Sequence, residues 1–339
     1  MNAPARALGV WLLCLAAISA PAAASQPAAC TDGERPLKLG FYAHFEPVSY
    51  SADGAPGSAG FDVHRGYEAD LVSALEAIDG AKLSFSRRGI AAWDGIWLRP
   101  AGPRYDIVGG GITILDTRTR NASGETAIVF TAGHIAFRQS LLVRAEDAER
   151  IARHRDLAGA DRVGVLAATT GEARLLVLTG IADGAGVLAA GTQVDTPGGT
   201  ALADGGTDYV INAAGASPGL AGRRQLRPAS AAQPTVVYYP DDTTLIEALA
   251  AGRIDAVARG AIGNRAEARA HGGAFAVTAL DGRAETGGFA LAAGDAALAA
   301  CIDRWIGRLT DGGRIGFREW FDDPSVFMRR ARQAETGER

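Results

Sequence analysis

The chain has 339 residues, a formal net charge of -4 at pH 7, and a composition in which 47% of residues are hydrophobic. The mild acidity argues against a nucleic-acid partner, because such a partner requires a clustered basic face. The length exceeds what one hydrophobic core usually serves, so we expect two lobes.

The first 24 residues have the pattern of an export signal. Arg6 supplies a positive charge, residues 7–18 are apolar, and an Ala22-x-Ala24 cleavage site precedes Ser25. The apolar run is too short to span a membrane as a mature helix. We therefore expect a protein exported to the periplasm.

Cleavage after the signal leaves two cysteines, Cys30 and Cys301. An even number of cysteines in an oxidising compartment predicts a disulfide bond between them. Two unpaired thiols are the alternative, because the sequence gives no distance between the two residues.

From Leu37 onward, strand-like and helix-like segments alternate, which predicts an α/β fold with a mostly parallel sheet. In the first part we predict strands at 37–42, 82–86, 105–109, 128–130 and 139–143, and helices at 66–78 and 93–98.

The second part begins with a predicted polar helix at 145–154, a strand at 163–166 and a helix that follows Thr169. Between about 180 and 235 the periodicity fails, which predicts a loop-rich insertion with short strands at 193–196 and 208–212; a dedicated binding element is the alternative. After it we predict strands at 236–239, 254–258, 275–280 and 288–292, and helices at 245–251 (capped by Thr244 and Glu247), 296–310 and 315–321.

These elements predict the following domain organisation. Its parts are a signal peptide at 1–24, a leader at 25–36, a first lobe formed by 37–140 plus 287–327, a second lobe at 141–286 that contains the insertion, and a flexible tail at 328–339.

Two strand ends have the composition of an anion-binding site. Thr169 and Glu172 have the spacing of a capping box, and the remaining N–H groups of the helix's first turn can hold a carboxylate. An ordinary capped helix is the alternative. Upstream, a glycine-rich turn at 109–111 leads to Thr113 and Arg118. Two such strand ends facing each other would clamp a small acid.

The sequence lacks the usual motifs of enzymes and cofactor sites. It has no histidines paired at metal-binding spacing, no Gly-x-Ser-x-Gly elbow and no phosphate-binding loop. We expect neither a cofactor nor a bound metal.

The order and spacing of these segments resemble the bacterial extracellular solute-binding proteins of family 3. The matching segments are 37–41, 45–50, 66–71, 93–96, 105–108, 111–114 with Arg118, 130–131, 139–143, 164–165, 169–172, 249–256 and 287–290. The resemblance implies a type II periplasmic-binding-protein fold, with two α/β lobes, a ligand cleft and two crossover strands. It also implies a monomeric, non-enzymatic binding protein that delivers a polar amino acid or related carboxylate to the membrane permease of an ABC transporter.

The resemblance also assigns ligand-binding residues. Arg118 would pair with the ligand carboxylate, which suits the two parallel donors of a guanidinium. The other expected contacts are Thr113, Gly111, Thr170, Thr169, Phe45 and Trp93.

One position departs from the family pattern. Relatives that bind amino acids usually have an aspartate for the α-ammonium five residues after the position of Asp255, and here that residue is Gly260. A buried ammonium without a counter-charge costs several kcal/mol. Either another acid replaces the aspartate, with Asp116, Glu172 and Glu68 as candidates, or the ligand lacks the amine. A shift of the loop alignment by one or two residues is the third alternative.

Two other functions remain open from the sequence. Some relatives are periplasmic dehydratases that act on cyclohexadienyl acids, and such chemistry requires a general acid in the cleft. A periplasmic accessory protein that serves a neighbouring oxidoreductase would have the same fold.

Overall fold

The computed structural model describes residues 28–336, so the predicted signal peptide lies outside the described residues. The seven α-helices in this range are α1 (Tyr67–Glu76), α2 (Thr170–Leu178), α3 (Asp242–Ala250), α4 (Ala261–Ala270), α5 (Ala296–Leu309), α6 (Phe317–Asp322) and α7 (Val326–Thr336). No helix among the described residues is long and apolar enough to cross a membrane.

The described chain also contains nineteen strands, numbered in chain order. They are β1 (Leu37–Tyr42), β2 (His44–Phe45), β3 (Ser49–Ser51), β4 (His64–Arg65), β5 (Phe85–Ile90), β6 (Ile107–Gly109), β7 (Ile128–Phe130), β8 (Ile135–Arg144), β9 (Arg162–Leu166), β10 (Gln193–Thr196), β11 (Gly199–Leu202), β12 (Ile211–Asn212), β13 (Gly215–Ala216), β14 (Gln225–Arg227), β15 (Thr235–Tyr239), β16 (Ala256–Gly260), β17 (Phe275–Thr278), β18 (Ala284–Gly287) and β19 (Ala290–Ala292).

The first lobe is built on a five-stranded sheet with the order β5-β1-β6-β19-β7. Strand β1 runs parallel to β5 and β6, whereas β19 pairs antiparallel with β6 and β7. Leu39, Leu71, Phe289 and Trp305 are fully buried in its core, where α1 and α5 pack together. Late segments of the chain therefore complete a lobe that the early segments begin.

The second lobe is built on a larger sheet with the order β11-β10-β14-β15-β9-β16-β8-β17. Its centre is parallel, because β9 lies between β15 and β16 in the same direction. The carboxyl ends of such strands collect loops and helix starts at one edge, where ligands usually bind.

Two antiparallel strands connect the lobes. The first half of β8 pairs with β18, from Ile135 opposite Gly287 to Arg138 opposite Ala284, and its second half pairs with β16 and β17. Each strand continues toward the first sheet, β8 from β7 and β18 into β19. These are the two crossover strands of the predicted fold, which the structure confirms.

A disulfide bond joins Cys30 to Cys301, as the cysteine count predicts. It ties the segment before β1 to α5, two parts of the chain separated by 271 residues.

The region at 180–235 is more ordered than its composition predicts. Strands β10, β11 and β14 extend the second sheet by antiparallel pairing, and Leu188, Val194 and Leu226 are fully buried in the second-lobe core. The short β12–β13 hairpin is separate from the sheet and points a tight turn toward the first lobe. We call 180–235 the insertion below.

Several local predictions were wrong. The helix predicted at 93–98 is a 3-10 turn at Ile96–Ala101, and the strand predicted at 82–86 lies at Phe85–Ile90. The expected polar helix at 145–154 is two short 3-10 turns, because its apolar spacing is too sparse to bury one face. Helix α3 starts earlier than expected, and Asp241 caps it by accepting the N–H of Thr244 at 2.8 Å. The tail expected to fray from 328 forms α7, where Phe327 and Ala331 are buried against the first-lobe core.

Candidate functional site

A cavity of about 550 Å³, its open mouth included, lies between the two lobes. On the first-lobe side it is lined by Tyr42, Phe45, Trp93, Gly111 and Thr113. On the second-lobe side, Leu166, Thr169, Thr170, Gly171, Asp242, Arg259 and Gly260 line it, and Phe137 and Gln139 of the crossover strand β8 complete it. Six of the seven ligand-binding residues expected from the sequence line this cavity; the exception is Arg118.

The glycine-rich turn after β6 is held open to the cavity by a buried carboxylate. Glu68 accepts the N–H of Gly110 at 2.6 Å and that of Gly111 at 2.9 Å. Gly111 has a φ of 68°, and a Cβ there would lie 2.5 Å from the ring of Phe45, so the turn requires glycine. Burial raises the pKa of Glu68 to about 7, although both hydrogen bonds oppose the shift.

Thr113 follows this turn and supplies a hydroxyl to the cavity. Its side chain is nearly buried, and its Oγ1 has no hydrogen-bond partner within residues 28–336. A hydroxyl in this state can donate to a ligand oxygen or accept from a ligand donor.

The first turn of α2 faces the cavity from the second lobe. Thr169 caps the helix by accepting the N–H of Glu172 at 3.1 Å, as expected, but the Glu172 carboxylate accepts from Ala168 rather than from Thr169. The N–H groups of Thr170 and Gly171 have no acceptor in the described part of the chain. Free donors at a helix start favour an anion, because the helix dipole adds to them.

Gln139 connects this helix start to the crossover strands. Its Nε2 donates to Thr170 Oγ1 and to Glu285 Oε2, each at 2.8 Å. The amide thereby fixes the position of the Thr170 hydroxyl relative to β8 and β18. Because Gln139 lies in the predicted strand at 139–143, sequence periodicity alone assigned it no role at the site.

Four aromatic rings line the cavity, three from the first lobe and one, Phe137, from the crossover strand β8. Tyr42 packs edge-on against Trp93 at 5.1 Å between centroids, and Phe45 lies 6.0 Å from Phe137. Trp93 also donates its indole N–H to the carbonyl of Ala168 in the second lobe, at 2.9 Å. The wall suits an apolar or planar part of a ligand.

Arg118 does not line the cavity. It is fully buried, and its guanidinium donates to three backbone carbonyls: Thr113 at 3.1 Å, Ala168 at 3.1 Å and Ala213 at 3.0 Å. The guanidinium carbon lies 4.4 Å from the ring of Trp97. Burial lowers the pKa of Arg118 to about 9. A direct contact with the ligand carboxylate stays a prediction, and it requires the guanidinium to exchange a carbonyl partner for the ligand.

A second arginine, Arg259 at the end of β16, does line the cavity. It forms an ion pair with Asp242 in the first turn of α3, and its Nη2 lies 3.5 Å from Glu267. Both Arg259 and Asp242 keep 14% of their side chains exposed. Sequence reasoning did not assign this pair, because 17 residues separate its members and the predicted start of α3 came after Asp242.

The family model of the bacterial extracellular solute-binding proteins, family 3, matches residues 37–323. The chain belongs to this family. A comparison of the sequence with curated proteins gives no significant match.

Solved structures of family 3 solute-binding proteins share the fold. One is the ancestral amino-acid-binding protein AncCDT-1, described as a precursor of cyclohexadienyl dehydratase; the TM-score is 0.56 at 18% identity, covering 85% of this chain and 94% of that one. Another is the substrate-binding protein AbpA of an amino acid ABC transporter from Streptococcus pneumoniae, bound to L-arginine. The TM-score is 0.56 at 16% identity, and the match covers 88% of this chain and 95% of that one. The arginine-binding protein ArgBP of T. maritima has a TM-score of 0.53 at 18% identity, and the match covers 84% of this chain and 96% of that one.

The three acids considered as replacements at Gly260 do not line the cavity of this family 3 protein. Glu68 and Glu172 are fully buried and hydrogen-bonded elsewhere, and Asp116 is exposed on the turn after Thr113. Among the described residues, the acid that does line the cavity is Asp242.

Proposed function

We propose that this family 3 solute-binding protein captures a small carboxylate-bearing solute, an amino acid or a related organic acid, in the periplasm. One observation carries the proposal: the free N–H groups of Thr170 and Gly171 and the free hydroxyl of Thr113 belong to opposite lobes and line one cavity.

In this proposal the solute carboxylate lies at the start of α2. The N–H groups of the helix's first turn donate to it, and Thr113 approaches from the first lobe. Thr169, Thr170 and Gly111 complete the polar contacts. Phe45 and Trp93 pack against the apolar part of the solute, which loses water when the lobes close.

Closure would then present a defined surface to a partner. In line with the family, we propose that the closed protein acts as a monomer that delivers the solute to the inner-membrane permease of an ABC importer. An open arrangement would lose the hydrogen bonds that Trp93 and Arg118 donate across the cleft, and a ligand that contacts both lobes would favour the closed arrangement.

Binding without chemistry is the simpler function for this site. An enzyme on this scaffold would require a general acid that reaches the ligand. Glu68, whose pKa burial raises to about 7, has both oxygens hydrogen-bonded to the glycine-rich turn and does not line the cavity. Asp242 does line the cavity, but it is ion-paired with Arg259. No described feature therefore favours a dehydratase over a binding protein.

The test is a thermal-shift screen of amino acids, hydroxy acids, dicarboxylates and aromatic acids, followed by calorimetry. Ligand-linked stabilisation grows with ligand concentration over Kd, so a true solute raises the Tm progressively. The Thr113→Val variant should then bind about 10-fold more weakly, because a hydrogen bond to a charged group is lost.

Thr117→Val is the matched control, because Thr117 is exposed on the same turn and does not line the cavity. It should bind as the wild type does. Failure of every carboxylate to raise the Tm would overturn the proposal, as would equal affinities of the Thr113→Val variant and the wild type.

A further inference from the structure

The two carboxylate oxygens of Asp242 differ, because one accepts a hydrogen bond and the other does not. Its Oδ1 pairs with Arg259, whereas Oδ2 has no hydrogen-bond partner in residues 28–336. The side chain lines the cavity and is partly exposed to it. An accessible carboxylate oxygen without a donor is a site for a ligand donor.

Arg259 does not neutralise this region. It faces two carboxylates, since Glu267 lies 3.5 Å from Nη2 while Asp242 holds Nη1. One guanidinium between two carboxylates leaves an excess negative charge around Arg259, and of these two carboxylates Asp242 lines the cavity. A cation placed there gains Coulomb energy, and it gains more when closure excludes water.

Arg259 also fixes the direction of the carboxylate. The ion pair holds Oδ1 and leaves Oδ2 as the accessible oxygen, so the acceptor is positioned before the ligand arrives. Such preorganisation reduces the ordering cost of binding.

Tyr42 lies on the opposite side of the cleft. Its hydroxyl has no hydrogen-bond partner in the described chain, and the residue lines the same cavity. The pKa of Tyr42 is raised, first by burial and next by the charge of Asp242. Both residues line the same cavity, so a ligand bound at Asp242 lies in the cleft that the Tyr42 hydroxyl faces.

We propose that Asp242 receives a protonated amine of the solute, opposite Tyr42, and that it distinguishes carboxylates that carry an amine from those that do not. This inference rests on the proposed function. The position at which family members usually have an acid holds Gly260, which lines the cavity without a side chain. The negative charge is supplied instead from the first turn of α3.

The test uses pairs of ligands that differ in one group. Each pair contains an L-amino acid and the L-2-hydroxy acid with the same side chain, for example alanine with lactate, leucine with 2-hydroxyisocaproate, and phenylalanine with phenyllactate. Calorimetry on the wild-type protein should show, for the pair with the highest affinity, that the amino acid binds at least about 10-fold more tightly than the hydroxy acid. Only the amine can form a charge-assisted hydrogen bond with Asp242.

The Asp242→Asn variant keeps the shape of the side chain and removes its charge. It should lose about 10- to 100-fold in affinity for the amino acid and change by less than about 3-fold for the hydroxy acid. Asp241→Asn is the matched control: it removes a neighbouring charge that caps α3, and asparagine caps equally well. It should bind both ligands as the wild type does.

Equal binding of both members of each pair by the wild type overturns the inference, and so does an equal loss for both members in Asp242→Asn. If that variant does not fold by circular dichroism, the wild-type comparison decides alone. If neither member of any pair binds, but other carboxylates do, Asp242 recognises no amine and the proposed function stands. If no carboxylate binds at all, the proposed function itself fails.

Discussion

Arg118 in the first lobe donates from Nη2 to the backbone carbonyl of Ala168 in the second lobe, at 3.1 Å. The same carbonyl accepts the indole N–H of Trp93 at 2.9 Å, so both of its lone pairs are used by the opposite lobe. The Nε of Arg118 donates to the backbone carbonyl of Ala213, in the insertion, at 3.0 Å. Side chains of one lobe and backbone groups of the other therefore join the two lobes across the cleft.

Arg118→Ala should lower the free energy of unfolding by about 2–5 kcal/mol. The substitution leaves buried carbonyls without donors and a cavity beside Trp97. Urea unfolding measures the loss, and Arg120→Ala, on the exposed side of the same turn, is the control. The ligand contact that the family resemblance assigns to Arg118 has a different consequence, because its loss would abolish binding and leave the fold intact. Calorimetry on the same variant separates the two roles, and unchanged stability with abolished binding would contradict the structural one.

Trp93→Phe keeps an aromatic ring in the wall but removes the donor to Ala168. We expect the solute-free variant to populate a more open arrangement than the wild type, because an interlobe hydrogen bond is worth about 0.5–1.5 kcal/mol. Small-angle scattering without ligand reports the change as a larger radius of gyration.

The control for that measurement is Trp320→Phe. Trp320 donates its indole N–H to Asp70 at 2.7 Å within the first lobe, so this variant loses a comparable bond that does not cross the cleft. An equal expansion of both variants would show that Trp93 has no special role in closure.

Glu172→Gln should destabilise the second lobe by about 3–5 kcal/mol, because it breaks one partner of a buried ion pair. Glu172 is fully buried beneath the start of α2 and accepts Nε of Arg223, from the insertion, at 2.9 Å. Burial raises the pKa of Glu172 although Arg223 opposes the shift.

A double-mutant cycle with Arg223→Met checks that the loss comes from the pair. The double variant should be more stable than the sum of the single losses predicts, since neither charge is then left alone. Arg224→Met, which changes the exposed neighbouring arginine, is the control. Additive losses would mean that the insertion is not tied to α2 through this pair.

Glu68 should make stability fall as the pH rises. Its pKa is about 7 in the folded protein and about 4.5 when unfolded, so the folded state binds the extra proton between these values. Its contribution is present below pH ~4.5 and lost as the pH rises through ~7. His134, whose pKa burial lowers to about 3, acts in the opposite direction below pH ~6.5.

The Glu68→Gln variant isolates this contribution. Relative to the wild type it should gain about 3 kcal/mol in unfolding free energy between pH 4.5 and 7, from the linkage of 1.36 kcal/mol per pKa unit. Urea unfolding at several pH values measures the difference in unfolding free energy between variant and wild type. The substitution also changes hydrogen bonds, but this effect is the same at every pH and does not alter the pH dependence. A pH-independent difference between variant and wild type would show that Glu68 is already ionised throughout this range.

Local patterns determined much of the fold. The strands at 37–42, 128–130 and 193–196 have the predicted bounds, and α5 ends one residue before its predicted end. These segments combine alternating or helical apolar spacing with clear start and stop signals, and such signals lie within a few residues of the element they specify. The order of the predicted elements was sufficient to identify the family, and the family implies the two-lobe architecture.

Other features depended on contacts between distant parts of the chain. Strands β11 and β14 have weak patterns of their own and form because β10 and β15 offer paired edges. Helix α4 was missed, because its composition is polar and its buried side is narrow.

The same division applies to the site. Sequence alone placed a glycine turn, hydroxyls and a helix start at the ends of strands. These strands belong to two different sheets, and their ends meet across the cavity between the lobes. Only the tertiary structure decided which charged groups face the cavity. Arg118 became enclosed because the insertion, 95 residues later, covers it, and Asp242 reached the cleft because Arg259 holds it there. The direction of a long charged side chain is set by its partners across the fold, and no local pattern encodes those partners.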